Sequence, residues 1–295
     1  MAQLTKTRIT TRIPPHVYFL VSAIFHYLGP AFAVLLFSRV PALGVAWLRI
    51  ASAAVIFAVW RRPWRILIGK TWTERRLLLA LGVVLGLMNA CFYLAISRLP
   101  LGTVGAIEFI GPITLAALGV RTRRNIAALL LATAGGWLLT DVRLGGQALG
   151  FVFAFANCAF FMLYVVLGHR IAQDGGPAGI DRLGASMLIA LLTITPIGLT
   201  GALPALTQLP LLLAGIGVGI CSSVIPYVCD QLAMARLPRA TFALLLSLLP
   251  ASAALIGIIV LRQIPSTIEI VGILLIAGGV ALHQESTSPA KKAQE

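Results

Sequence analysis

The sequence predicts an all-α polytopic membrane protein: ten transmembrane helices in two inverted five-helix repeats, with both termini cytoplasmic. Three observations predict it. Apolar runs of about 18 to 22 residues recur along the chain, each long enough to cross a hydrocarbon core of about 30 Å. Lysine and arginine are divided unevenly between alternate loops. Residues 227–257 repeat the pattern of residues 89–119 after an odd number of spans.

Composition excludes the other classes. Only 11% of the 295 residues are charged and 59% are hydrophobic, with a mean hydropathy of +0.97. A soluble domain carries about 25% charged residues. The alternating ten-residue segments of a β-barrel are missing. The net charge of +14 does not indicate nucleic acid, because the basic residues sit in short loops between apolar spans. The partner they imply is the lipid bilayer. Cys91, Cys158, Cys221 and Cys229 lie inside apolar runs without metal-ligand spacing and read as buried free thiols. His16, His26, His169 and His283 are scattered, so neither a metal nor another cofactor is expected.

The spans follow in order. Residues 1–16 form a basic tail with Lys6, Arg8 and Arg12. The first span, 17–37, is too long for the h-region of a signal peptide. Spans at 42–60, 77–97, 101–119 and 125–140 complete the first repeat, 17–140. The second repeat, 147–283, holds spans at 147–168, 183–202, 210–231, 240–261 and 266–283, before a tail at 284–295. Short "RVPA", "RLPLG" and "RLPRA" loops make tight hairpins, since proline breaks the helix and fixes φ. Trp60, Trp64 and Trp72 flank the largest basic loop, and Trp47 and Trp137 lie towards the opposite ends of their spans, as interfacial belts require. The pairs Gly82/Gly86 and Gly215/Gly219 have GxxxG spacing, which serves either close packing within the bundle or a homodimer face.

Taking the N-terminus as side one, eighteen lysines and arginines fall on that side. Arg39, Arg98, Arg143 and Arg262 fall on the other, and Arg49 lies within a span. That asymmetry makes side one cytoplasmic. Aligned without a gap at an offset of 138, segments 89–119 and 227–257 match at ten of 31 positions, including Arg98/Arg236, Pro100/Pro238 and Pro112/Pro250. Five spans is an odd number, so the second repeat is inverted, the architecture of secondary transporters.

Other activities lack their residues. "IGKT" at 68–71 resembles the end of a phosphate loop, but Trp64 stands where its first glycine is required. Neither HExxH nor GxSxG occurs, so an enzyme is not expected.

The segments "GLMNACFYLAISRLPLG", "IEFIGP", "WRRPWR", "IPY" and "ARLPRATF" resemble the EamA branch of the drug/metabolite transporter superfamily, and within it the threonine/homoserine exporters. The resemblance runs over about residues 17 to 283. It implies two inverted five-helix repeats, cytoplasmic termini, and efflux of amino acids or other small metabolites. Two acidic positions of the exporter pattern differ: Leu249 stands before the second-half proline, and Gln263 stands in the hairpin after the ninth span. Glu108 remains.

Glu108 is the centre of the expected site. A charge within a span costs about 3 kcal/mol and faces a partner or a wet cavity. Glu108 and Arg49 each lie seven residues past the outer start of their spans, which permits an ion pair at equal depth. Pro112 has no N–H, so the Glu108 carbonyl lacks its helical partner. Gly105 and Gly111 leave the backbone there with little cover, and Pro250 repeats the break on the related helix. A cavity is therefore expected between spans four and nine. His26, Asn89, Tyr93, Asn157, Ser222, Ser223 and Tyr227 lie at depths that suit either a substrate site or helix–helix hydrogen bonds. The expected function is secondary active export of a small-molecule substrate by alternating access. Glu108 would exchange protons, and Arg49 would hold either the substrate carboxylate or Glu108. The alternatives are export or uniport of bulkier amphipathic compounds, with Glu108 structural, and a receptor or scaffold that moves nothing.

Overall fold

The computed structural model describes residues 14–67, 71–111, 113–114, 122–141, 144–171, 177–234 and 248–282. The described residues are helical, without a strand. In chain order the helices are α1 (Pro15–Leu36), α2 (Ala42–Arg61), the single turn α3 (Trp64–Leu67), α4 (Trp72–Ile96), α5 (Leu101–Glu108), α6 (Arg123–Asp141), α7 (Leu144–Ile171) and α8 (Pro177–Leu206). There follow α9 (Leu209–Gly219), a π-helical turn (Ile220–Val224), α10 (Ile225–Met234), α11 (Leu248–Leu261) and α12 (Thr267–Leu282). Among the described residues, six helical stretches are long and apolar enough to cross a membrane: His16–Leu36, Ala42–Arg61, Trp72–Ile96, Gln147–Leu167, Gly179–Leu206 and Leu209–Asp230. Two shorter apolar helices, Leu249–Leu261 and Thr267–Leu282, join them. This is the plan of a polytopic membrane protein.

Several boundaries differ from those expected, each for a local reason. α4 starts at Trp72 rather than 77 because Thr71 and Glu74 form a capping box: the Glu74 N–H donates to the Thr71 side chain, and the Thr71 N–H donates to Glu74 Oε2. α8 extends beyond 183–202 and carries Pro196 and Pro204 inside it. The Thr193 and Thr195 hydroxyls there donate back to the Ile189 and Leu191 carbonyls. The fourth expected span is interrupted. α5 ends at Glu108, and the Phe109 N–H bonds three residues back to the Ala106 carbonyl rather than four. Residues 110–111 and 113–114 are helical again, and the Ile113 N–H donates to the Phe109 carbonyl at 3.4 Å.

Small residues set the helix spacing, as expected of packing in lipid. Gly44 of α2 meets Gly201 and Ala202 of α8 backbone to backbone. Gly82 and Gly86 of α4 lie against Ile189 and Thr193 of α8, while Gly215 and Gly219 of α9 lie against Leu48 and Ser52 of α2. Both GxxxG pairs are thus engaged within the chain. Outward faces are apolar, with Leu20, Val59, Leu130, Leu192 and Leu274 exposed. Trp60 and Trp72 sit beside Arg61 and Arg76, in cation–π contact. Trp47 is used differently from a belt residue: its Nε1–H donates to Thr195 Oγ1 of α8 at 2.9 Å.

A buried polar cluster around Arg49 and Glu108

Arg49 projects from the middle of α2 and is 5% exposed. Its Nε–H donates to Ser223 Oγ at 2.9 Å and its Nη2–H to the Ser222 carbonyl at 3.0 Å. Both acceptors belong to the π-helical turn. There the Ile225 N–H reaches five residues back to the Ile220 carbonyl, which widens the helix by one residue. Gly29 and Gly219 allow this turn to approach α1 and α2: a Cβ on Gly29 would meet Ser222 Oγ, and one on Gly219 would meet Ser52 Oγ. The guanidinium also lies 5.6 Å from the centre of the Tyr93 ring of α4. Its positive charge is thereby held by a hydroxyl, a carbonyl and a π face, without a carboxylate.

Glu108, also 5% exposed, ends α5. It forms no ion pair with Arg49, although the charge of Arg49 reaches it. Its neighbour is Asn157 of α7, which is fully buried. Glu108 Oε2 and both amide atoms of Asn157 lack a hydrogen-bond partner of normal geometry. Tyr27 Oη lacks one too, and the Tyr93 and Ser222 hydroxyls lie beside each other and Arg49 without a hydrogen bond of normal geometry. Buried polar atoms are almost always paired, so a concentration of such atoms marks a place built for a polar guest.

The remaining expected residues divide into two groups. Tyr227 of α10 is buried within reach of both Arg49 and Glu108. His26 of α1 is partly buried, sits edge-on to Tyr27 at 5.2 Å, and also feels Arg49. Asn89 is less available, because its Nδ2–H donates to the Leu85 carbonyl of its own helix at 2.8 Å. Pro250 is buried in the first turn of α11. Pro112 lies outside the described residues.

Two expectations are corrected. Gly105 and Gly111 do not leave bare backbone: Tyr27 and Ala253 fill the space beside Gly105, and Met162 and Cys158 fill that beside Gly111. The expected cavity between spans four and nine does not lie beside Gly105, where α5 packs on Ala253 of α11; it opens further along the two helices, where Gly102, Thr103, Ala254 and Gly257 line it. The polar cluster instead gathers residues of α1, α2, α4, α7 and the 209–234 span around the end of α5. Sequence reasoning missed Tyr27, which is fully buried against Gly105 and near Glu108. It also missed the π-helical turn. The adjacent serines were the one available signal for that turn, and Tyr27 had none.

Comparison with known proteins agrees with this architecture. The model of the EamA-like transporter family matches residues 148–283. The threonine/homoserine exporter RhtA of Escherichia coli K12 is 35% identical over 272 residues, covering 90% of this chain and 88% of that protein. Its counterpart in Salmonella typhimurium LT2 is 36% identical over 256 residues, 84% of this chain and 83% of that protein. A solved crystal structure superimposes with a TM-score of 0.57 over 90% of this chain and 96% of its own, at 19% identity, which speaks for the fold alone. With identity of this level sustained across nine-tenths of its length, the chain belongs to the EamA-like transporter family.

Proposed function

We propose that this protein is a secondary active exporter of small zwitterionic metabolites, amino acids such as threonine and homoserine first, working by alternating access in the cell membrane. Ten spans form two inverted five-helix repeats, 17–140 and 147–283, with both termini cytoplasmic. Support comes from the similarity to the RhtA exporters and from the lysine and arginine asymmetry. The observation that carries the reading is the buried cluster itself: one guanidinium and one carboxylate, not in an ion pair with each other, among neighbouring buried hydroxyl and amide atoms that make no hydrogen bond of normal geometry. A zwitterion offers a group to each charge. Its carboxylate displaces the Ser222–Ser223 contacts of Arg49 or adds to them, and its ammonium faces Glu108 and Asn157.

Glu108 then serves transport in two protonation states. Ionised, it receives the ammonium; protonated, it resets the empty carrier, so one proton enters as one substrate leaves. Purified protein in liposomes, loaded with radiolabelled L-threonine, should release it faster under an imposed ΔpH that is acidic outside. Glu108→Gln should abolish the dependence on ΔpH. Wild-type rate and pH dependence in that variant would remove Glu108 from the coupling role.

A further inference from the structure

A second polar site lies away from the central cluster. Where α4 turns into α5 and α11 into α12, a cavity of about 430 Å³ opens, within the range of about 300–1,000 Å³ typical of ligand pockets. Its walls bring together two opposite charges, Glu269 and Arg98, with Thr103 and Gln263.

Both charged groups are held in place by their own helix ends. Glu269 is 2% exposed and sits in the first turn of α12. Its Oε2 accepts from the Ser266 N–H at 2.8 Å, and its own N–H donates to Ser266 Oγ at 3.3 Å, a reciprocal capping box. Arg98 donates from Nη1 to the Leu94 carbonyl at 2.7 Å and to Ser97 Oγ at 3.0 Å, and its guanidinium lies 5.2 Å from the Phe153 ring centre. Groups fixed in this way lose little freedom when a ligand arrives. Gly102 and Gly257 also line the cavity. A lone hairpin arginine is ordinarily just solvated. Here it shares a concave wall with a carboxylate almost wholly removed from the surface.

We propose that this cavity is a second binding site for a zwitterionic amino acid, with Glu269 receiving the ammonium and Arg98 the carboxylate. The inference rests on the export reading above. In the orientation given there, the cavity opens at the outer face and holds the substrate after it leaves Arg49 and Glu108. The site also receives external substrate, and so sets how strongly accumulated product slows further export.

The test compares the two faces of the membrane, with L-threonine as the probe. Half-saturating concentrations are measured on right-side-out and inside-out vesicles, and the ratio of outer to inner value is read. Glu269→Gln removes the charge but keeps a side chain that still closes a capping box. Losing one charge-assisted contact should raise the ratio about tenfold. Arg98→Gln, on a hairpin surface, should raise it similarly and carries the test if the Glu269 variant fails to reach the membrane. Ratios within twofold of wild type would overturn the outer site and leave the export reading standing. Absence of threonine flux from either face of wild-type vesicles would overturn both.

Discussion

The offset of 138 that aligns 89–119 with 227–257 also sets α4 beside the span from Leu209 to Met234. α4 runs unbroken for 25 residues, begun by its capping box and pressed onto α8 through Gly82 and Gly86. The other span is α-helical for 11 residues, π-helical for five and α-helical again for ten. Its irregular turn lies where Arg49 meets it. A charge in lipid needs polar partners, and a widened turn exposes backbone that needs a donor, so each relieves the cost of the other. Both spans touch the polar cluster, α4 through the ring of Tyr93 and the other through Ser222 and Ser223, but only the one that gives Arg49 a backbone carbonyl is irregular.

The contrast breaks most sharply at Arg49. Arg49→Met removes both contacts to the π-helical turn together with the guanidinium of the cluster. It should reduce threonine flux about 10- to 100-fold, the worth of one charge-assisted hydrogen bond. Arg49→Lys should fall between, because an ammonium lacks the planar fork. Flux per reconstituted molecule is the readout, and wild-type flux in Arg49→Met would separate the irregular turn from transport.

Deletion of Cys221 is the next test. A π-helical turn carries one surplus residue, so removing it restores a continuous helix with both flanks in register. The variant should purify as a monodisperse protein with a near-native Tm, yet transport about tenfold more slowly. Deletion of Val84 from α4 should instead fail to fold, since everything beyond it rotates by roughly 100°. Two well-folded deletions of equal activity would mean that the spans do not differ in role.

Smaller effects sharpen the comparison. A Cβ on Gly82 would lie 2.4 Å from Ile189 Cβ, so Gly82→Val should cost about 1–3 kcal/mol, read as a drop in Tm. Nothing lies within 4 Å of a Cβ on Gly217, so Gly217→Ala should leave Tm unchanged or raise it, by up to about 1 kcal/mol of stability. Thr71→Ala removes the capping box of α4 and should cost about 1 kcal/mol.

Much of this was legible in the sequence. Long apolar runs state where the chain can cross a membrane, and a charge within such a run announces itself, so Arg49 and Glu108 were found without coordinates. The fixed rise per residue also let the two positions be compared along their helices. Rotation was not legible. Nothing in the spacing says that Arg49 turns towards Ser222 and Ser223 rather than Glu108, or that Gly105 receives the ring of Tyr27. Those facts depend on how helices far apart in sequence meet. The capping boxes of α4 and α12 were written locally, as Thr71 to Glu74 and Ser266 to Glu269, and could have been read.

One contact between the α4–α5 and α11–α12 hairpins has a consequence for motion. α11 ends on Arg262 in the left-handed region, with φ 55°, and Gln263 then returns its N–H to the Gly257 carbonyl. That turn aims Gln263 Oε1 at the Leu101 N–H, the start of α5, 3.0 Å away and 162 positions distant in the chain. The contact buttons α5 to the α11–α12 hairpin at the mouth of the cavity with a single neutral bond, worth about 0.5–1.5 kcal/mol. A carboxylate in its place would add an attraction to the helix dipole of about 0.3–1 kcal/mol. If the mouth parts in every cycle, Gln263→Glu should slow turnover with little change in KM for substrate that enters through the Arg49–Glu108 cluster. Unchanged turnover would mean that α5 and α11 move as one body and that the opening lies elsewhere. Slowed turnover would mean that the neutral amide at position 263 tunes the speed of the carrier rather than the identity of its cargo.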